Sequence, residues 1–96
     1  MEVNVKAIHF EATGKLIEFI NKKADRLARR FGAITGFDVT LKVIKPETAN
    51  NKDVLVLLTT DGGELVASKT ADTFEEAYDK ALEALEPQLE KFKEKK

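Results

Sequence analysis

Residues 13–31 read Thr13-Gly14-Lys15-Leu16-Ile17-Glu18-Phe19-Ile20-Asn21-Lys22-Lys23-Ala24-Asp25-Arg26-Leu27-Ala28-Arg29-Arg30-Phe31, and this stretch decides the fold. Leu16, Ile20, Ala24, Leu27 and Phe31 step by four, four, three and four. That spacing lines up one face of an α-helix. Thr13 stands where an N-cap belongs, and Gly32 follows in the place of a helix stop. Upstream, Val3, Val5 and Ala7 share one parity, so residues from about 2 to 10 read as a strand. Downstream of Gly36, Phe37, Val39, Leu41 and Val43 alternate with Asp38, Thr40 and Lys42, a half-buried strand. A helix between two strands permits a right-handed parallel crossover.

The remaining elements follow outward from that unit. Residues 45–52, from Lys45-Pro46 to Asn51-Lys52, are the polar interior stretch that reads as a loop. Val54-Leu55-Val56-Leu57-Leu58 suits a central strand. Asp61-Gly62-Gly63 marks a tight hairpin turn, and residues 64–70 return as a fourth strand. Asp72 or Thr73 caps a final helix from about Phe74 towards the C-terminus, with Pro87 expected to kink or loosen it. The order β-α-β-β-β-α gives an α+β fold: a four-stranded mixed sheet with both helices side by side on one face. No repeat or linker interrupts it, so residues 1–96 are expected to form one domain.

Composition narrows the setting. Without cysteine there is neither a disulfide framework nor a thiolate zinc site. No apolar run approaches the roughly 20 residues of a membrane span. The N-terminus, Met1-Glu2-Val3-Asn4-Val5-Lys6, lacks the apolar block of a signal peptide. The expectation is a monomeric cytoplasmic domain that engages no membrane.

The net charge of −1 hides an asymmetry. Residues 13–31 carry six cations against two acids, a net +4, while residues 72–96 carry five lysines against eight acids, a net −3. At about 100° per residue from Leu16, the apolar row spans about 0–80°. Lys15, Lys22, Lys23, Arg26, Arg29 and Arg30 all fall within about 220–340°, with Glu18 and Asp25 just outside. A one-signed stripe repels itself, so it suits a polyanion or an acidic protein surface. A solvated face with Arg29 and Arg30 favouring the helix dipole is the plain alternative.

On the final helix, Phe74, Ala77, Tyr78, Ala81, Leu85, Leu89 and Phe92 form the expected buried arc. From Phe74, the acids Glu75, Asp79, Glu83, Glu86 and Glu90 lie at about 100–180°, and Lys80, Lys91 and Lys95 at about 240–300°. If the lysine flank faces the first helix, two basic edges meet in one groove. Otherwise these lysines are solvating.

Taken in order, these pieces resemble the ribosome hibernation-promoting factor and ribosome-associated inhibitor family. The resemblance is carried by Thr13-x-x-Leu16-x-x-Phe19-Ile20-x-x-Lys23-x-x-Arg26-Leu27-x-x-x-Phe31, by Leu41-Lys42-Val43-x-Lys45 and by Gly63-Glu64-Leu65-x-Ala67-Ser68. It continues in Asp72-x-Phe74-x-x-Ala77-Tyr78-Asp79 and Leu85-x-x-Gln88-Leu89-x-Lys91-x-Lys93, so it covers essentially the whole chain. It implies the same β-α-β-β-β-α fold and a domain that binds the small ribosomal subunit in the channel used by messenger and transfer RNA. It also implies inhibition of translation by occlusion, without chemistry, cofactor or small-molecule substrate. The positions matching the family's basic motif are Lys23, Arg26 and Lys91; Lys22, Arg29, Arg30 and Lys80 join them by geometry as candidate contacts to rRNA. The chain departs from the family at Ala84 and Pro87, where basic residues are usual. Long-form members carry a further dimerisation domain, so a short form is expected.

Enzymatic readings find little to stand on. His9, the single histidine, reads as structural at a strand end, and Ser68 has no evident base beside it. Asp61-Gly62-Gly63 is too short for a phosphate loop, and the acids of the last helix lack metal-ligand spacing. The rival comes from another class: a protein-interaction module using the basic face or a sheet edge against an acidic partner. An older family label, modulation of a sigma factor, belongs to that reading.

Overall fold

A computed structural model describes residues 2–44 and 49–94, the side chains of 92–94 apart. Its elements are β1 (Glu2–Ala7), α1 (Gly14–Arg30), β2 (Ile34–Val43), β3 (Lys52–Thr60), β4 (Gly63–Ala71) and α2 (Phe74–Glu94). The sheet order is β1-β2-β3-β4. β1 runs parallel to β2, and the other two pairings are antiparallel. This is the expected mixed sheet of an α+β fold. Because β1 and β4 point the same way, the helices that follow them also run in the same direction.

Register puts one parity of every strand under the helices. Val5, Val39, Val56 and Ala67 lie in one row across the four strands, and Val3, Phe37, Leu58 and Leu65 in the next. Phe37, Val39, Leu41, Val54, Val56 and Leu58 are fully buried there. The opposite face carries Asp38, Thr40, Leu55, Leu57 and Val66, with no helix over it among the described residues; Leu55 and Val66 are exposed.

Ile34 breaks the parity rule: it is buried although its even number would place it opposite Phe37. The register between Ile34 and Gly36 shifts by one residue against Thr60 and Thr59. A bulge of this kind inserts one residue and re-aims what precedes it. Ile34 thereby reaches the core, and β2 starts three residues earlier than the alternation from Phe37 suggests.

Local chemistry fixes the ends. Thr13 Oγ1 accepts from the Leu16 amide at 3.1 Å, and Thr73 Oγ1 accepts from the Glu76 amide at 3.1 Å. Thr73 is therefore the cap of α2, while Asp72 accepts from the Asn50 amide at 2.8 Å. Helix α1 ends at a buried Phe31 in extended conformation, not at a left-handed Gly32. β1 ends at Ala7, short of residue 10, because His9 takes φ 65° and turns the chain. In the hairpin the positive φ falls on Gly63, at 148°, and Thr60 Oγ1 donates to the Gly63 carbonyl at 2.8 Å. The expected loop falls partly on residues 45–48, outside the described residues; Lys52 already belongs to β3.

The layer between helices and sheet is continuous. Leu16, Ile20, Ala24, Leu27 and Phe31 of α1 are buried with Ala77, Tyr78, Ala81, Leu82, Leu85 and Leu89 of α2. Leu82 joins the expected arc, and Phe74 is only half-buried, stacked on Phe10 with ring centroids 5.1 Å apart. Phe92 lies outside the described side chains. Helix α2 continues through Pro87, although the ring removes one backbone donor there.

Candidate nucleic-acid interface

The six cations of α1 divide into two rows once the helices are packed. Lys23 and Arg30, at about 340° and 320°, border the buried face and look towards α2. Lys15, Lys22, Arg26 and Arg29, at about 220–280°, form an outer row, and all four are exposed. Rigid backing comes from Leu16, Ile20, Ala24 and Leu27 on the opposite side of the same helix.

The flank of α2 that meets α1 is the acidic one. Lys23 Nζ lies 3.5 Å from Asp79, and Arg30 bridges Glu86 at 2.9 Å and Glu90 at 3.4 Å. Lys23–Asp79 and Arg30–Glu86 share one offset of 56 positions and sit seven residues apart. That is the register of two parallel helices with charged residues along their seam. The meeting of two basic edges, expected if the lysine flank faced α1, does not occur. Its physical reason is direction: in parallel neighbours the clockwise flank of one faces the counter-clockwise flank of the other. Lys80 and Lys91 lie on the same-handed flank as the α1 stripe, so only antiparallel helices would bring them together. Lys80 pairs with Glu76 at 3.6 Å on its own helix, Lys91 is exposed, and Lys95 lies outside the described residues.

Between the helices runs a cleft of about 350 Å³. Lys23, Arg26 and Arg30 form one wall, Asp79, Glu83 and Glu86 the other, with Leu27 and Leu82 between them. Both flanking cations also rest on aromatic rings, Lys23 at 5.5 Å over Phe19 and Arg30 at 5.1 Å over Phe31. Phe19 packs edge-on against Tyr78, 6.1 Å between centroids, as expected of a residue at the helix seam. On the outer row Arg29 pairs with Asp25 at 3.1 Å within its own helix. Among the described residues, Lys15, Lys22, Arg26 and Lys91 have no ion pair.

Thus the candidates do not form one patch. Lys22, Arg26 and Arg29 share the outer row, Lys23 and Arg30 are held at the seam, and Lys80 and Lys91 belong to the far flank of α2. The acidic flank of α2 was visible in the sequence, but not that it faces Lys23 and Arg30; the signal for that was the shared seven-residue spacing of Lys23/Arg30 and Asp79/Glu86. His9 is exposed beside the turn after β1, and the Ser68 hydroxyl donates to Asp53 at 3.4 Å.

The sequence matches the family described as Sigma 54 modulation protein / S30EA ribosomal protein over residues 3–96. The chain belongs to that family. Relatives within reach of this Sigma 54 modulation protein / S30EA ribosomal protein family member include the ribosome hibernation promoting factor of Pseudomonas putida. The two are 34% identical over 95 residues, covering 99% of this chain and 89% of the relative. The ribosome hibernation promoting factor of Azotobacter vinelandii is 30% identical, covering 99% and 85%. In fold, the family member is similar to a ribosomal subunit interface protein from Coxiella burnetii, with a TM-score of 0.85 at 22% identity over 97% of this chain and 98% of the other. The N-terminal domain of Thermus thermophilus Protein Y superposes with a TM-score of 0.79 at 22% identity, over 96% and 99%.

Proposed function

We propose that the chain is a ribosome hibernation factor that docks on small-subunit rRNA through the outer face of α1. By lying in the channel used by messenger and transfer RNA, it inhibits translation by occlusion and performs no chemistry. The observation that carries this reading is the exposed outer row, Lys15, Lys22, Arg26 and Arg29, on a helix whose other side is locked into the core. Family membership and the names of its relatives supply the ribosome as the polyanion. Each Lys or Arg that neutralises a phosphate releases counterions, which makes binding steeply salt-dependent. Folded RNA is recognised largely through shape and backbone, which a rigid array of cations serves. Such a protein works in the cytoplasm, as a single domain and as a monomer when off the ribosome.

Within this reading Lys22, Arg26 and Arg29 are primary contacts. Lys23 and Arg30 reach phosphate only by leaving their carboxylates, while Lys80 and Lys91, on the far flank of α2, lie off the α1 track. The test is co-sedimentation of the chain with bacterial ribosomes over a salt series, beside Arg26→Glu/Arg29→Glu. Stoichiometric binding that weakens with salt and drops at least about tenfold in the variant is expected. Absence of binding at low salt, together with capture of an acidic protein partner by the same face, would overturn it in favour of a protein-interaction module.

A further inference from the structure

The seam between the helices is the feature that this reading leaves unused. Three carboxylates of α2 sit against two cations that the α1 stripe would otherwise present to phosphate. We propose that Asp79, Glu86 and Glu90 act as a selectivity wall, which keeps Lys23 and Arg30 from RNA and confines phosphate to a single track along the outer row of α1. The inference rests on the proposed function and deepens it: the ligand is one phosphodiester strand of folded RNA, and a duplex straddling the two helices is rejected.

Three observations carry this. First, the pairing is in register: the same offset of 56 positions joins Lys23 to Asp79 and, two turns further, Arg30 to Glu86. Second, the cleft is of mixed sign. Its α1 wall offers Lys23, Arg26 and Arg30, but its α2 wall offers Asp79, Glu83 and Glu86. A cleft lined by one sign focuses an attractive field; one lined by both cancels it and places carboxylates where a second strand's phosphates would lie. Third, Lys15, Lys22 and Arg29 of the exposed outer row do not line that cleft, and Arg26 joins the row to its rim; Lys15 to Arg29 spans about 21 Å of helix axis. Specificity is a difference of affinities, and repulsion of the wrong ligand contributes as much as attraction of the right one.

The experiment compares the wild-type chain with Asp79→Asn/Glu86→Gln/Glu90→Gln, on ribosomes and on a short RNA duplex of unrelated sequence, each across a salt series. Released from the wall, Lys23 and Arg30 join the contact set, so the slope of log K against log salt steepens by about 1–2. Duplex affinity at low salt rises about tenfold and by more than ribosome affinity, so selectivity falls. A control, Glu2→Gln/Asp38→Asn/Glu64→Gln, makes the same change in net charge on the sheet face opposite the helices. It leaves the slope unchanged. In a Lys23→Gln/Arg30→Gln background the wall substitutions no longer steepen the slope.

An unchanged slope in the wall variant, or an equal gain in the control, overturns the proposal, because the acids would then act through net charge alone. Should the triple variant misfold by circular dichroism, Glu86→Gln/Glu90→Gln frees Arg30 by itself and must steepen the slope by about half as much. Failure of the wild-type chain to bind ribosomes sinks the function proposed above. The wall is judged independently by the ratio of variant to wild type on the duplex.

Discussion

Tyr78 sends its hydroxyl across the helix seam to the carbonyl oxygen of Ile20, 3.0 Å away, while its ring is fully buried. That carbonyl also faces the intrahelical donor four residues on, so the phenol uses its second lone pair. Replacing Tyr78 by Phe therefore strands no buried group and costs about 1 kcal/mol, whereas Tyr78→Ala opens a cavity and costs about 3–5 kcal/mol. Urea denaturation of both variants checks the difference. Burial first, and the Asp79 carboxylate second, push the phenol far above its ordinary value of 10.0. The sign follows from proton binding: above pH 10 the unfolded chain loses this proton while the folded chain keeps it. Stability is therefore fully present below pH 10 and falls as pH rises beyond it. Tyr78 is the single tyrosine and there is no tryptophan, so absorbance near 295 nm reports it alone. A phenolate signal appearing near pH 10 in the folded protein would contradict the buried hydrogen bond. The burial of Tyr78 was legible in its spacing from Ala77, Ala81 and Leu85; its hydrogen-bond partner, 58 positions away, was not.

At the scale of elements, α2 carries its own weak point. Pro87 is exposed inside a helix of 21 residues. Its ring takes away the donor to the Glu83 carbonyl and crowds that turn, a cost near 3 kcal/mol in a helix interior. Pro87→Ala is expected to raise stability by about 1–3 kcal/mol and to slow amide exchange over residues 84–91. Unchanged exchange would mean that the last two turns owe their order to Leu85 and Leu89 in the core. The two helices were legible because capping threonines and apolar periodicity agree: Thr13 and Thr73 both accept from the third amide beyond them. β2 was legible only from Phe37 onwards. Ile34 has the wrong parity for that strand, and only the bulge, which depends on pairing with Thr59 and Thr60, restores it to the core.

For the molecule as a whole, stability and recognition should respond differently to salt. Its interhelical ion pairs are partly exposed, with Arg30 at 58% and Glu86 at 39%. Pairs of that kind contribute about 0–1 kcal/mol. The thermal midpoint of Glu86→Gln/Glu90→Gln should stay within a few degrees of wild type, and both should vary little between 50 mM and 500 mM salt, while ribosome binding weakens steeply over the same range. A midpoint that fell in step with binding would show that the seam holds the fold together. The sequence by itself determined the element order, the mixed sheet, the apolar layer and the one-signed stripe, because caps, periodicity and turn residues act over short range. It also contained the direction of the helices, since β1 and β4 had to be parallel in that order. Only the tertiary structure decided which flank of α2 would meet α1, because that depends on the side of α1 on which α2 packs: α1 lies against β1 and β2, and α2 against β3 and β4. That choice set acids against Lys23 and Arg30 and left Lys15, Lys22, Arg26 and Arg29 as the face that α1 turns outward.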